Sequence, residues 1–187
     1  MKKNQSEKMQ VRDNKKNIVG KNVLEKLEKN GADKSAAVKN APADNQTVKH
    51  LKRVLADTFV LYMKTYVVHW NYTGANFFSV HKLTEVQYAE LAEAIDEIAE
   101  RIRAIGTEAP ISLSDVLKTA DLKEMSDDSD PREALKELAA GHALLSKRAK
   151  EAADATDEAD DDFSNDMMVA RIGAHDKASW MLKSLVQ

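Results

Sequence analysis

Apolar residues recur at three- and four-residue intervals over four long stretches of the chain, which is the spacing of an amphipathic α-helix. Leu51, Leu55, Phe59, Tyr62 and Tyr66 make the first of these faces, and His69 continues it. Asn45-Gln46-Thr47 offers N-cap candidates after Pro42, so helix A is predicted to run to about Tyr72. A turn through Thr73-Gly74-Ala75-Asn76 follows, and helix B is predicted from about Ser79 to Ile105, where Gly106 stops it. Leu91, Ile95, Ile98, Ile102 and Ile105 form a near-heptad stripe along helix B, its natural core face. Thr107 to Ser129 contains Pro110 and a brief apolar pattern at Ile111, Leu113, Val116, Leu117 and Leu122, which reads as a connection holding one short helix. Asp130-Pro131 opens helix C by an Asp cap and Pro in the first turn, and Leu135, Leu138, Leu145 and Ala149 carry its face to about Ala155. Helix D spans about Ser164 to Leu185, with Met168, Ile172, His175, Trp180 and Leu182 on its apolar or ligand-like positions. The chain is therefore all-α, and the long B–C connection allows those two helices to run parallel in a four-helix bundle with the link crossing it.

Composition supports helices, since Gly and Pro together number only nine while a third of the residues are charged. At 187 residues the chain suits one domain with an extension. Cysteine is absent, which excludes disulfides and thiolate sites and leaves imidazole and carboxylate as metal ligands. No stretch is long and apolar enough to span a membrane, and MKKNQSEKMQ carries no apolar leader, so a soluble, unexported chain is expected.

The formal charge of -3 conceals an asymmetry. Residues 1–50 hold twelve Lys plus Arg against six acids, a balance of +6, whereas residues 51–187 hold sixteen against twenty-five, a balance of -9. Residues 1–45 have few aliphatics and no aromatics, too little apolar surface to offset their ordering entropy, so a flexible tail is expected ahead of a domain at 46–187. Lys2, Lys3, Lys8, Arg12, Lys15, Lys16 and Lys21 are spread along that tail and suit non-specific contact with DNA phosphates.

Candidate chemistry concentrates between His69 and Gly106. His69, His81, Glu85, Asp96 and Glu100 combine imidazole with carboxylate, a donor set suited to Fe(II), Mn or Zn. On helix B the last four lie roughly 80 to 180° away from the Leu91 stripe, in a sector that also carries Ala89, Ala92 and Ala99. The midpoints of His81/Glu85 and Asp96/Glu100 are about 15 residues, or roughly 22 Å, apart along the helix, so a single metal cannot touch both pairs from one chain. Two copies packed antiparallel about a two-fold near residues 90 and 91 would bring His81 and Glu85 of one against Asp96 and Glu100 of the other, giving two shared sites. Trp70 and Tyr88 border this region. None of the five histidines has Glu three residues before it, which argues against a di-metal site inside the bundle built on Glu-x-x-His. His142 is read as packing or surface, and His175-Asp176 is not read as a second site, because neither is accompanied by further ligands at helical spacing.

The run His69-Trp70-Asn71, then Gly74, Phe77, His81, Tyr88, Asp96 and Ala99-Glu100-Arg101-Ile102, closing at Ile105-Gly106, resembles the signature of the Dps family, the DNA-protection-during-starvation miniferritins. Ile172-Gly-Ala-His-Asp-Lys177 and Trp180-Met181-Leu182 are similar to the family's closing segment. The resemblance implies a ferritin-like four-helix bundle, with the short extra helix in the B–C crossover. It implies a dodecamer that oxidises Fe(II), preferably with hydrogen peroxide, at dimer interfaces and stores the ferric product inside. His69, His81, Asp96 and Glu100 fall on the family's metal positions; Glu85 stands where Asp is common, one methylene longer. Zinc is a second candidate for that site. The acidic run between helices C and D corresponds to the lining of three-fold pores that admit cations, pointing to Asp157, Asp161 and Asp166. A cytoplasmic, nucleoid-associated protein is implied. The rival reading is a non-enzymatic nucleoid-compacting protein whose metal face is vestigial.

Overall fold

The computed structural model describes residues 46–126 and 130–186. The proposed tail at 1–45, with Lys2, Lys3, Lys8, Arg12, Lys15, Lys16 and Lys21, lies outside the described residues. Among the described residues five helices follow in order: α1 Gln46–Asn71, α2 Phe77–Ala104, α3 Leu113–Thr119, α4 Pro131–Asp157 and α5 Asp162–Ser184.

The ends of these helices are set by local chemistry. The Gly106 amide bonds the Arg103 carbonyl and the Thr107 amide the Ile102 carbonyl, closing α2 with Gly106 at φ 86°, a left-handed position open to glycine without a Cβ penalty. Asp130 caps α4 by accepting the Arg132 and Glu133 amides at 2.8 and 3.0 Å, and Pro131 needs no partner for an amide hydrogen it lacks. Between α4 and α5 the same two-bond closure recurs, Asp161 to Thr156 and Asp160 to Asp157, with Asp160 at φ 53°. Asp161 then starts α5 by accepting the Ser164 amide, so one residue ends a helix and begins the next.

Contacts across the bundle give its topology. Thr47 reaches Ala155, and Lys64 reaches Glu137, so α1 and α4 are antiparallel. His69 meets His81 and Thr84, so α1 and α2 are antiparallel as well, and α2 is therefore parallel to α4. The crossover joining them carries α3 and is fastened to α1 by Asp57 and Lys64, with Arg53 also pairing with Asp121. Fully buried Asp57 accepts the Asp121 and Leu122 amides, each at 2.8 Å, while Lys64 Nζ donates to the Lys123 and Glu124 carbonyls at 3.1 and 3.2 Å. Burial pushes the Asp57 carboxyl up, against the lowering effect of those two amides and of Arg148.

The core runs the length of the bundle. Leu61, Leu91, Leu135, Leu138, Leu145 and Leu182 fill one end, and Leu51, Leu55, Ile98, Ile102 and Met168 the other. Gly141 lets α4 close on α1, since a Cβ there would stand 2.8 Å from a Leu61 methyl. The expected α2 stripe is inside, with Leu91, Ile98 and Ile102 fully buried and Ile95 and Ile105 packed at its edge. On α1 a second stripe joins the anticipated one: Val54, Thr58, Leu61, Thr65 and Val68 are buried beside Leu51 and Leu55. Packing against α2, α3 and α4 at once explains why α1 is buried on two sides. The sector of α2 that carries Ala89, Ala92, Asp96 and Glu100 is exposed in the single chain, as are Met63 and Trp70 on α1 and Phe77, Phe78 and Val86 on α2.

Candidate metal centre

The five-residue turn from Tyr72 to Asn76 folds the last turn of α1 back over the first turns of α2, and Gly74 at φ 127° makes that reversal without a Cβ clash. His69 and His81 are thereby stacked, ring centroids 3.8 Å apart and planes 19° from parallel. Each Nδ1 lies 3.1 Å from the backbone carbonyl of the other residue. A carbonyl only accepts, so both rings donate from Nδ1 and hold their lone pairs on Nε2. Thr84 reinforces the choice: its hydroxyl donates to the Val80 and His81 carbonyls and receives the His69 Nδ1 hydrogen at 3.1 Å. Two imidazoles held at Nδ1, with Nε2 left over for a ligand, is the arrangement that supporting hydrogen bonds produce around metal sites.

Aromatic rings wall the pair. Tyr88 meets His69 edge-on at 5.1 Å and stacks on Tyr66 at 4.2 Å, Trp70 lies 4.9 Å from Tyr66, and Phe77 stacks on His81 at 5.3 Å. Glu85, one turn beyond His81, is bound at 2.7 Å by Lys82. That hydrogen bond and charge hold its carboxyl below the usual range, with the nearby imidazoles adding to the effect. Asp96 and Glu100 are exposed further along α2 and make no hydrogen bond or ion pair among the described residues. Within one chain, then, the structure joins His69 to His81 and leaves Asp96 and Glu100 apart; among the described residues no group of three or more imidazoles and carboxylates is placed to hold a metal.

The three acidic positions around the α4–α5 turn, Asp157 at the end of α4, Asp161 in the turn and Asp166 in α5, separate by role. Asp157 and Asp166 are exposed. Asp161 is largely buried, bound at 2.5 Å by Arg101 and at 2.6 Å by the Ser164 hydroxyl. Burial pushes its carboxyl upward, but the Ser164 hydroxyl and amide and the Arg101 charge outweigh it and leave it below the ordinary value. Asp161 thus ties the turn to α2.

Sequence reasoning missed a second histidine pair. His142 on α4 and His175 on α5 are both about 1% exposed, with their Nδ1 atoms 3.0 Å apart. Burial pushes His142 down to about 4 and His175 to about 2, and the charge of Arg171 adds to both. Arg171 is itself buried and pairs with Glu90 of α2. The available signal was positional: His142 falls between Leu138 and Leu145 on the α4 core face, and His175 lies seven residues from both Met168 and Leu182 on α5.

Comparison with known proteins bears on this geometry. The ferritin-like domain family matches residues 48–187. The chain is 34% identical over 137 residues to the DNA protection during starvation protein of Brevibacillus brevis, a match covering 73% of this chain and 92% of that one. Among solved structures, Dps from Staphylococcus aureus is 33% identical with a TM-score of 0.74, covering 79% of this chain and 99% of that one. Dps from Listeria innocua soaked with zinc is 31% identical with a TM-score of 0.71, covering 75% of this chain and 95% of that one.

Proposed function

Because the chain belongs to the Dps family of the ferritin-like superfamily, we propose that it is a ferroxidase and iron store, oxidising Fe(II) at sites shared between two-fold-related copies and keeping the ferric product within a dodecameric shell. The observation that carries this reading is the His69/His81 pair, whose reciprocal carbonyl hydrogen bonds leave both Nε2 lone pairs free beside Glu85. Asp96 and Glu100 of the opposed copy complete the ligand set, one copy supplying imidazoles and Glu85, the other two carboxylates. The exposed alanines and apolar side chains on α1 and α2 are the surface such a copy would cover.

Fe(II) is the substrate. Hydrogen peroxide is the preferred oxidant: two Fe(II) each give one electron, the O–O bond breaks, and two protons complete two waters. Glu85 is released for iron readily, since its partner Lys82 is an exposed cation and such pairs are weak. Zinc suits the same imidazole–carboxylate set and acts as a competitor. Asp157 and Asp166, exposed at the α4–α5 turn, draw cations toward the shell interior, with Asp161 holding the turn in shape.

The lysine-bearing segment before residue 46 supplies non-specific DNA contact and places the particle on the nucleoid, in the cytoplasm. Its positive balance, opposite in sign to the rest of the chain, supports this. Deleting residues 1–40 should abolish DNA retardation at low salt; unchanged retardation would contradict it. The ferroxidase reading is tested by peroxide-driven Fe(II) oxidation in a His69→Ala/His81→Ala variant that still assembles. A rate equal to the unmodified protein would leave a nucleoid-compacting protein with a vestigial metal face as the better account.

A further inference from the structure

Three of the four tyrosines stand in one row that ends on the His69/His81 pair; the fourth, Tyr72, shares no ring contact with them among the described residues. Tyr62, Tyr66 and His69 follow one another at helical spacing on α1, and antiparallel α2 brings Tyr88 against them. Tyr88 meets the His69 ring edge-on at 5.1 Å and stacks on Tyr66 at 4.2 Å with the planes 15° from parallel. Tyr66 in turn meets Tyr62 edge-on at 4.9 Å. Centroid spacings of this size put each ring in contact with the next. The side-chain hydrogen bond between Tyr62 and Tyr66 pushes the Tyr62 phenol up, which keeps its proton in place as a donor to the Tyr66 oxygen. Packing alone would be served by phenylalanine, as Phe77 packs on the other ring of the pair, and gives no reason for a continuous run of oxidisable phenols leading from a metal-binding imidazole.

Reduction of hydrogen peroxide to water takes two electrons, and each Fe(II) gives one. A site holding a single Fe(II) is therefore one electron short, and the half-reduced oxidant attacks the nearest oxidisable group. We propose that the row Tyr88, Tyr66, Tyr62 supplies the missing electron, so that a site with a single Fe(II) reduces peroxide completely and the oxidising equivalent comes to rest on Tyr66, one ring away from the ligand. Fe(II) and Tyr88 each give an electron, the O–O bond breaks, and two protons from solvent complete two waters. Tyr66 then returns an electron to Tyr88 and its own phenolic proton passes to solvent, which half-buried Tyr66 can reach. What remains is a neutral tyrosyl radical whose oxygen accepts the Tyr62 hydrogen bond. A later Fe(II) gives its electron to that radical, a solvent proton restores the phenol, and the row is ready again. Tyr66 is thus an electron donor acting through Tyr88, and the proposal rests on the ferroxidase reading above.

The test uses full-length, assembled protein loaded without oxygen at a single Fe(II) per site, mixed with hydrogen peroxide and frozen at successive times for electron paramagnetic resonance. A tyrosyl signal should appear together with the ferric product and vanish when more Fe(II) is added. Tyr66→Phe keeps the ring and removes the donor, so the unmodified line shape should give way to that of a shorter-lived radical on Tyr88. Tyr72→Phe, outside the row, should alter neither line shape nor lifetime. The same line shape and lifetime in Tyr66→Phe, or a signal lost in Tyr72→Phe, would overturn the proposal. Ferric product without any tyrosyl signal overturns it too while leaving the ferroxidase reading intact, whereas no ferric product removes both. Where Tyr66→Phe does not assemble, Tyr62→Phe deletes only the hydrogen bond to Tyr66 and should shorten the lifetime of the radical without moving it; an unaltered lifetime counts against the row.

Discussion

Two histidine pairs occupy opposite sides of this bundle, and their difference lies in what stands beside each ring. In the His69/His81 pair, each Nδ1 donates to a backbone carbonyl, both Nε2 atoms are free among the described residues, and a nearby cation is the loosely held Lys82. In the His142/His175 pair, Nδ1 faces Nδ1, the outer Nε2 of His175 is taken by Arg171, and water is excluded. The same residue type is thus prepared as a ligand in one place and enclosed as an uncharged polar contact in the other. Access to an unshared lone pair, rather than the presence of imidazole, decides which pair can do metal chemistry.

The largest effect expected from breaking this contrast is at the His69/His81 pair. Supporting residues alone change metal affinity or activity by up to about 100-fold, so losing both ligands in His69→Ala/His81→Ala should slow Fe(II) oxidation by roughly 100-fold or more. Stopped-flow absorbance of the ferric product reads this directly.

The enclosed pair should announce itself in acid. Both histidines have folded values depressed below 6.5, to about 4 and about 2, so the unfolded chain binds more protons than the native one as pH falls below 6.5. Their contribution is fully present above that value and is lost progressively as the solution is acidified from 6.5 toward the folded values. Denaturant unfolding of His142→Gln/His175→Gln should show a visibly flatter pH dependence over that window. An unchanged slope would show that the pair is not held neutral in the native state.

Much of this was legible in the sequence because it is local. Periodicity, the Asp130-Pro131 cap and Gly106 place each end of the four long helices within two residues of where it lies. The Leu91 stripe shows which side of α2 faces the core, and the twelve-residue step from His69 to His81, spanning one tight turn, brings that pair together. What could not be read depends on register between distant segments. Asp57 looks like an ordinary surface acid on a helix until the crossover amides 64 and 65 residues away are seen to converge on it. Arg171 and Glu90, or His142 and His175, are juxtaposed only by how α5 packs on α2 and α4. Asp161 reads as one of a run of acids, yet Arg101 draws it inward and leaves Asp157 and Asp166 outside.

Smaller changes sharpen the comparison. Thr84→Val removes one acceptor of the His69 Nδ1 hydrogen while sparing the His81 carbonyl, and should weaken Fe(II) or Zn(II) binding by roughly tenfold, at the low end for supporting groups. Isothermal titration with Zn(II) measures it, and unaltered affinity would mean the carbonyl alone orients the ring. Lys82→Ala should have the least effect, strengthening metal binding by roughly two- to threefold, because it frees Glu85 from a partner that is itself solvated. Weaker binding in that variant would show that the Lys82 contact prepares Glu85 instead of competing for it.

The central claim, that each oxidation site is divided between two copies, is tested most directly by complementation. His69→Ala/His81→Ala and Asp96→Asn/Glu100→Gln should each be inactive alone. Unfolded together in equal amounts and reassembled, half of the random pairs are mixed and each mixed pair rebuilds one of its two sites. Fe(II) oxidation should therefore return to about a quarter of the unmodified rate. Mixed particles that assemble fully and show no recovery would place all the ligands within one chain and contradict the account.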